Sequence, residues 1–303
     1  MTSAVRIAAH AKINLFLRIL ARETSGYHQI ETAFALLELA DDLDVRRTKS
    51  GVTLEVDGPD RPDLGPVDDN LAVRAARAVL EATGNRFGVA LRLTKRIPVR
   101  AGLGGGSSDA AAALHAVNAL AGNAVPRHEL LHLAARLGAD VAFCASGAPL
   151  ALAWGRGERL FRLPAPPAAP ALVAVPPVAV STPDAYRWWD EANPTPGTRG
   201  PVSLDAEALA TWGSIGRLGG NDFESLAFAK HPALRALYER LASTGPVWVR
   251  LCGSGSAVAA VYKKESERED AAARLGEKQQ RLIRTATRAD VAPAPQALQA
   301  LED

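Results

Sequence analysis

Residues 97–114 read IPVRAGLGGGSSDAAAAL, a glycine-rich loop that opens directly into an alanine-rich run. Glycine loses more freedom on folding than any other residue, so a cluster of it raises the question of what its backbone must approach. Consecutive glycines let N–H groups converge on an anion with no Cβ in the way. A helix N-terminus adds unpaired N–H groups and the positive end of the helix dipole. Ser107 and Ser108 add hydroxyls, one of which could reach a metal ion. The chemistry this composition suits is phosphate binding. A hinge, or an ordinary tight turn before a helix, is the alternative. The stretch is not G-x-x-x-x-G-K-[ST], because no lysine follows the glycines. It is not G-x-G-x-x-G either: Gly105 is inserted, and Ser107 stands where the last glycine belongs.

Composition limits what such a loop could serve. A formal net charge of +2 over 303 residues gives no case for nucleic acid or a membrane surface as partner. An anionic ligand would need a local positive site. Cys144 and Cys252 lie far apart and form no metal-binding cluster, which reads as two buried thiols in a reducing compartment. Arg6, His10 and Lys12 interrupt the apolar residues of the first segment, so it lacks the core of a secretory signal. No run approaches the roughly 20 apolar residues a membrane span needs. A soluble cytoplasmic protein is expected.

The elements around the loop follow from periodicity. Val5, Ile7, Ala9, Ala11, Ile13, Leu15, Leu17 and Ile19 share one parity, the mark of a strand with one buried face. His10, Lys12 and Asn14 then point the other way. Further strands are expected at 52–56 and 88–95. Between these two, residues 70–84 read as a helix with Asn70 as N-cap and Gly84 as its stop. Ser107 or Ser108 is expected to cap the helix after the loop, whose apolar stripe is Ala110, Ala113, Leu114, Val117, Leu120 and Ala121. Residues 126–138 make another helix. The Pro/Ala-rich stretch 163–177 suggests a domain boundary. Residues 247–264 suggest two strands around a GSG turn, followed by a charged helix.

The loop resembles the phosphate-loop signature of the superfamily of galactokinase, homoserine kinase, mevalonate kinase and phosphomevalonate kinase. AKINLFLRILARETSGYHQIET (11–32) and LGADVAFCASGAPLALAWGRGE (137–158) narrow the likeness. Together the three stretches resemble the 4-diphosphocytidyl-2-C-methyl-D-erythritol kinase family. DDNLAVRAAR (68–77) and LCGSGSAVAAVY (251–262) fit in the expected order, while the C-terminal tail and NPTPGTRGPVS (193–203) lie outside it. The resemblance implies an α+β fold of two lobes. The N-terminal lobe (1–163) would be like domain 2 of ribosomal protein S5, and the C-terminal lobe (164–290) ferredoxin-like, with a flexible tail at 291–303.

The resemblance also implies roles. ATP would lie along Pro98, Val99, Arg100, Ala101, Gly102, Leu103, Gly104, Gly105, Gly106, Ser107 and Ser108, with Asn70 on the adenine side. Mg²⁺ is expected to accompany it, with ligands that the sequence does not identify. Lys12 and Asp140 would be the catalytic pair, the ammonium stabilising developing charge and the carboxylate accepting a hydroxyl proton. Asn14 would position the substrate, and Tyr27, His28, Pro183 and Tyr186 would hold its cytidine. Taken singly, Lys12 also reads as a solvated strand residue, Asp140 as a hydrogen bonder at a helix end and Tyr186 as a core anchor. Two residues depart from the family pattern: Ala142 where proline is usual, and Cys252 where threonine or serine often stands. The implied reaction is transfer of the ATP γ-phosphate to the 2-hydroxyl of 4-diphosphocytidyl-methylerythritol, in isoprenoid precursor synthesis, by a monomer or weak homodimer. A homoserine- or mevalonate-type kinase is one alternative. A nucleotide-binding module without catalysis is another.

Overall fold

The computed structural model describes residues 2–58, 64–194 and 204–298. Most of the loop 193–203 and the end of the tail lie outside the described residues.

Two long antiparallel strands open the chain, β1 (Ala4–Arg22) and β2 (His28–Thr48). β3 (Val52–Asp57), α1 (Leu71–Ala82) and β4 (Gly88–Thr94) follow, and β3 pairs parallel to β4. α2 (Gly105–Leu120), α3 (Arg127–Leu137) and α4 (Ala139–Ser146) come next. The hairpin β5 (Leu150–Gly155) and β6 (Arg159–Leu163) pairs back onto β2.

A second sheet starts at β7 (Pro170–Val175). α5 (Thr182–Ala192), the single turn α6 (Trp212–Ile215), α7 (Glu224–Lys230) and α8 (Pro232–Ala242) lead to the hairpin β8 (Trp248–Leu251) and β9 (Val258–Val261). α9 (Glu265–Leu275) and β10 (Arg281–Ala286) complete it in the order β10-β7-β9-β8. That antiparallel order with helical crossovers is the ferredoxin-like arrangement.

Alternation along β7 and β9 explains how the lobes stack. Ala171, Val173, Ala259 and Val261 pack against the first sheet, while Leu172, Ala174, Val258 and Ala260 pack under helices α5, α8 and α9. The layers are therefore helices, sheet, sheet, helices.

β1 does not keep one buried face. Val5, Ile7 and Ala9 pack under α1 and α2, but Ala11, Ile13 and Leu15 face the second sheet. The pairing with β2 shifts between His10 and Lys12, and again between Asn14 and Phe16. An irregularity of this kind re-aims every side chain beyond it. It also leaves Lys12 and Asn14 buried, at 3% and 2% exposure, so neither lies on a solvated strand face.

Three other expectations change. Neither serine caps α2; Gly104, at φ 70°, is its N-cap. Asp140 lies in the first turn of α4 rather than at the end of α3. The described part of the tail is fastened to the N-terminal lobe. Ala292 N–H donates to Gly147 O, Leu298 N–H to Ala4 O, and β11 (Gln296–Ala297) pairs with β1. Among the described residues no helix is long and apolar enough to cross a membrane.

Candidate active site

The glycine loop is held by backbone on both sides. Lys12 N–H donates to Leu103 O at 2.9 Å, and Ala257 N–H to Ala101 O at 3.1 Å. The turn between β8 and β9 thus presses on the loop. At Gly102, with φ 80°, an added Cβ would sit 1.8 Å from Cys252 O. At Gly104 it would sit 2.8 Å from Lys12 Cγ. Only glycine allows both approaches.

Pro98, Val99, Arg100, Ala101, Gly102, Leu103, Gly104, Gly105, Gly106 and Ser107 all line a cleft of about 690 Å³ between the lobes. Ser108 does not. Its hydroxyl turns away and donates to His10 O at 2.6 Å, so it is neither a cap nor a group facing the cleft. Asn70 lines the same cleft while its side chain accepts from Ala72 N–H, so it caps α1 as well.

Lys12, Asn14 and Asp140 meet in that cleft. Lys12 Nζ donates to Asn14 Oδ1 at 2.9 Å and lies 3.2 Å from Asp140 Oδ2. Asn14 Nδ2 donates to Thr32 Oγ1 at 2.9 Å, and that hydroxyl donates to Phe16 O at 2.5 Å. The chain of donors fixes which end of the Asn14 amide faces Lys12. Asp140 comes from the first turn of α4, whose N-cap is Gly138. Ala142 N–H bonds Gly138 O at 3.3 Å, a bond that a proline there could not make. Cys252 sits at the start of the β8–β9 turn, its N–H donating to Ala257 O at 2.9 Å.

Beneath the loop lies a buried ion cluster that sequence reasoning missed. Lys95 Nζ donates to Asp109 Oδ2 at 2.7 Å and to Asp41 Oδ2. Asp41 Oδ1 accepts from Ile97 N–H at 2.8 Å, fastening the strand that enters the loop. Burial pushes the Asp109 carboxyl up to about 7, against the pull of Lys95. Its Oδ1 has no partner among the described residues.

A larger recess of about 1360 Å³ adjoins the cleft, lined by Tyr27, His28, Arg156, Pro183 and Tyr186 among others. His28 and Tyr186 are stacked, with ring centroids 4.4 Å apart and planes 16° from parallel. His28 Nε2 lies 2.7 Å from Asp190 Oδ1, so this ring is fixed from α5. Burial raises the Tyr186 phenol to about 12, which keeps it protonated. Tyr27 is 59% exposed, with the Arg156 guanidinium 4.0 Å above its ring. Arg156 in turn pairs with Glu23 at 2.5 Å. Thr32, Arg156 and Asp190 had no signal of their own in the sequence. Arg156 sits within the GRGE run of the third family stretch, which was its only cue.

The chain matches two family models, the GHMP kinases N terminal domain over residues 70–148 and the GHMP kinases C terminal domain over residues 205–280. It is 39% identical over 283 residues to a 4-diphosphocytidyl-2-C-methyl-D-erythritol kinase of Solibacter usitatus, covering 91% of this chain and 87% of that one. A kinase of the same name from Moorella thermoacetica is 39% identical over 287 residues, covering 93% and 98%. The crystal structure of a 4-(cytidine 5'-diphospho)-2C-methyl-D-erythritol kinase superposes with a TM-score of 0.77 at 38% identity, covering 93% of this chain and 98% of that one. A homoserine kinase from Cytophaga hutchinsonii reaches a TM-score of 0.74 at 19% identity, which speaks for the fold alone. At these levels of identity and coverage, the chain belongs to the 4-diphosphocytidyl-2-C-methyl-D-erythritol kinases, an ATP-using family of the GHMP kinases.

Proposed function

We propose that this chain moves the γ-phosphate of ATP to the 2-hydroxyl of 4-diphosphocytidyl-2-C-methyl-D-erythritol, giving the 2-phosphate and ADP. The observation that carries the reading is the Lys12–Asp140 pair, 3.2 Å apart where the glycine loop and the aromatic recess meet. Phosphoryl transfer asks a protein chiefly for position and charge. Asp140 accepts the proton of the attacking hydroxyl. Lys12 fixes that carboxylate and offsets negative charge on the transferring group. Asn14 holds Lys12 and is itself held by Thr32. The loop 98–107 carries the phosphates on its N–H groups and the α2 N-terminus. Tyr27, His28, Pro183 and Tyr186 form the walls for the cytosine.

Mg²⁺ fits this site as an ion arriving with the nucleotide. No cluster of three His, Cys, Asp or Glu among the described residues could cage a metal. Mg²⁺ commonly takes one or two protein oxygens and completes its shell with phosphate and water. Asp109, a cleft-lining residue whose Oδ1 is buried without a partner among the described residues, and the hydroxyl of Ser107 are the groups that would hold it. The ion would supply positive charge to the phosphate chain. The cytoplasm is the compartment we assign, on two cysteines that form no disulfide with each other.

ADP release measured with the cytidylated acceptor, homoserine and mevalonate tests the reading. Turnover is expected with the first alone. Turnover with homoserine or mevalonate would move the protein to another branch, and none with any of them would leave a binding module.

A further inference from the structure

The recess and the catalytic cleft share part of their walls. Gly138, Ala139, Arg156, Thr182 and Tyr186 line both. With cytosine against Tyr27, His28 and Tyr186 and the reacting hydroxyl at Asp140, the acceptor must cross this shared stretch. The part of the acceptor that joins its cytidine to its alcohol is a diphosphate, so the group that crosses is anionic.

The shared stretch carries one charged side chain. Gly138 and Ala139 have no polar side chain. Thr182 and Tyr186 offer neutral hydroxyls, the first of them 3.0 Å from Ser254 Oγ. Arg156 is the cation, and the protein itself holds its guanidinium in place. Nε and Nη2 donate to Glu23 Oε2 at 3.2 and 2.5 Å, and Nη2 also reaches Ser25 Oγ at 3.3 Å. The group lies 4.0 Å over the Tyr27 ring. Nη1 has no partner among the described residues. An arginine already fixed along one edge loses little freedom when another nitrogen meets a ligand. Glu23 offsets part of its charge. Five arginines and three carboxylates line the recess, however, so the balance around Arg156 stays positive.

We propose that Arg156 reads the acceptor's diphosphate, Nη1 donating to a phosphate oxygen while Glu23 and Tyr27 hold the guanidinium. The inference rests on the cytidylated-acceptor reading above and adds a residue to it. Arg156 is then a specificity residue. A charge-assisted hydrogen bond from a guanidinium favours a phosphate over a neutral linker of the same length. Cytidine alone cannot engage it, and cytidine diphosphate can.

The test titrates the full chain with cytidine and with cytidine diphosphate by calorimetry, in saturating ADP so that the nucleotide site is filled. Wild type is expected to bind the diphosphate roughly tenfold or more tightly than cytidine, the scale of a hydrogen bond to a charged group. Arg156→Gln should lose most of that advantage and keep its cytidine affinity within a few-fold, the scale of the lost contact with Tyr27. Arg136→Gln alters an arginine that lines the recess but not the cleft, and should keep the advantage. Crystals of wild type soaked in cytidine diphosphate should place a phosphate oxygen within hydrogen-bond distance of Arg156 Nη1, a check that stands even if the variant does not fold. An advantage kept by Arg156→Gln, an equal loss for both ligands, a loss confined to Arg136→Gln, or phosphates turned away from Arg156 overturns the proposal. Each of these leaves the cytidylated acceptor in place, provided wild type binds cytidine and turns that acceptor over. No cytidine binding and no turnover would overturn the reading beneath it as well.

Discussion

The two ends of the active cleft are built by opposite means. The glycine-loop end is backbone, held by other backbone: Leu103 O to β1 and Ala101 O to the β8–β9 turn. It needs absence of side chains, as at Gly102 and Gly104. The recess end is made of side chains from separate elements. His28 comes from β2, Tyr186 and Asp190 from α5, Arg156 from just beyond β5, and Tyr27 from the turn before β2. A backbone cradle suits any phosphate chain. A set of rings and charges can choose one base. Lys12 and Asp140 stand where the two ends meet, so their loss should not distinguish them.

That gives the largest expected effect. Asp140→Asn and Lys12→Ala should each lower kcat by roughly 100-fold or more, the scale of a positioned base or electrostatic group. ATP affinity should survive, because the loop is intact. Steady-state kinetics with ATP titration checks this. Near-normal turnover in either variant removes that residue from the mechanism.

The loop end should respond to bulk. Gly105 is a poor place to add it, because a Cβ there already meets Ile97 at 3.1 Å and Lys95 Nζ at 3.3 Å. Gly105→Val would disturb the buried ion cluster as well as the phosphate site. Gly106 has nothing within 4 Å of an added Cβ and lines the cleft. Gly106→Val should therefore leave stability near wild type and weaken ATP binding by roughly 1–3 kcal/mol, the usual cost of crowding a packed contact. Titration with ATP and a melting curve separate the two effects. Unchanged affinity would reduce the loop to a hinge.

The same contrast explains what the sequence made legible. A glycine run before an apolar stripe is a local signal, so the loop and α2 could be read from residues 97–121 alone. The strands at 52–56 and 88–95 were also local, from alternation. What failed was set by distant partners. The face of Lys12 depended on a pairing irregularity with β2, which alternation along β1 cannot register. Ser108 looked like a cap, but α2 begins earlier, with its N-cap at Gly104, and inside its first turn the Ser108 hydroxyl donates to His10 O of β1. The tail looked loose because its fastening points, Gly147 and Ala4, lie far back in the chain. Arg156, Asp190 and Lys95 are ordinary charged residues in sequence. Only the fold makes them a ring cover, a ring anchor and a buried counter-ion. The recess was named only through resemblance to known kinases, because no spacing rule joins residues 27 and 186.

The recess should affect the acceptor alone. Asp190→Ala leaves His28 Nε2 without its 2.7 Å partner and frees the stacked pair to tilt. KM for the cytidylated acceptor should rise about tenfold, in line with loss of a hydrogen bond to a charged group. KM for ATP should not move. A matching rise in KM for ATP would show that the two ends are not independent.

The smallest effect, and the sharpest comparison, concerns Tyr27. Its ring is more than half exposed and carries Arg156 on one face, so the other face is what remains for a base. An exposed cation–π pair contributes about 0.5–1 kcal/mol. A stacked base adds about 1–3 kcal/mol in nucleic-acid sites, and less is expected where solvent reaches the ring. Binding energy from a ring that does not react can orient the hydroxyl that does, so losing it should lower kcat as well as raise KM. Methylerythritol 4-phosphate, which lacks the cytidyl group, should therefore be a very poor substrate for wild type. Tyr27→Ala should narrow the gap between the two acceptors by a few-fold, entirely through the cytidylated one. The measurement is kcat/KM for both acceptors with both proteins. Equal use of the truncated acceptor by wild type would sink the cytidine assignment of the whole recess. An unchanged gap in the variant alone would make Tyr27 a support for Arg156 and leave recognition to the His28–Tyr186 stack.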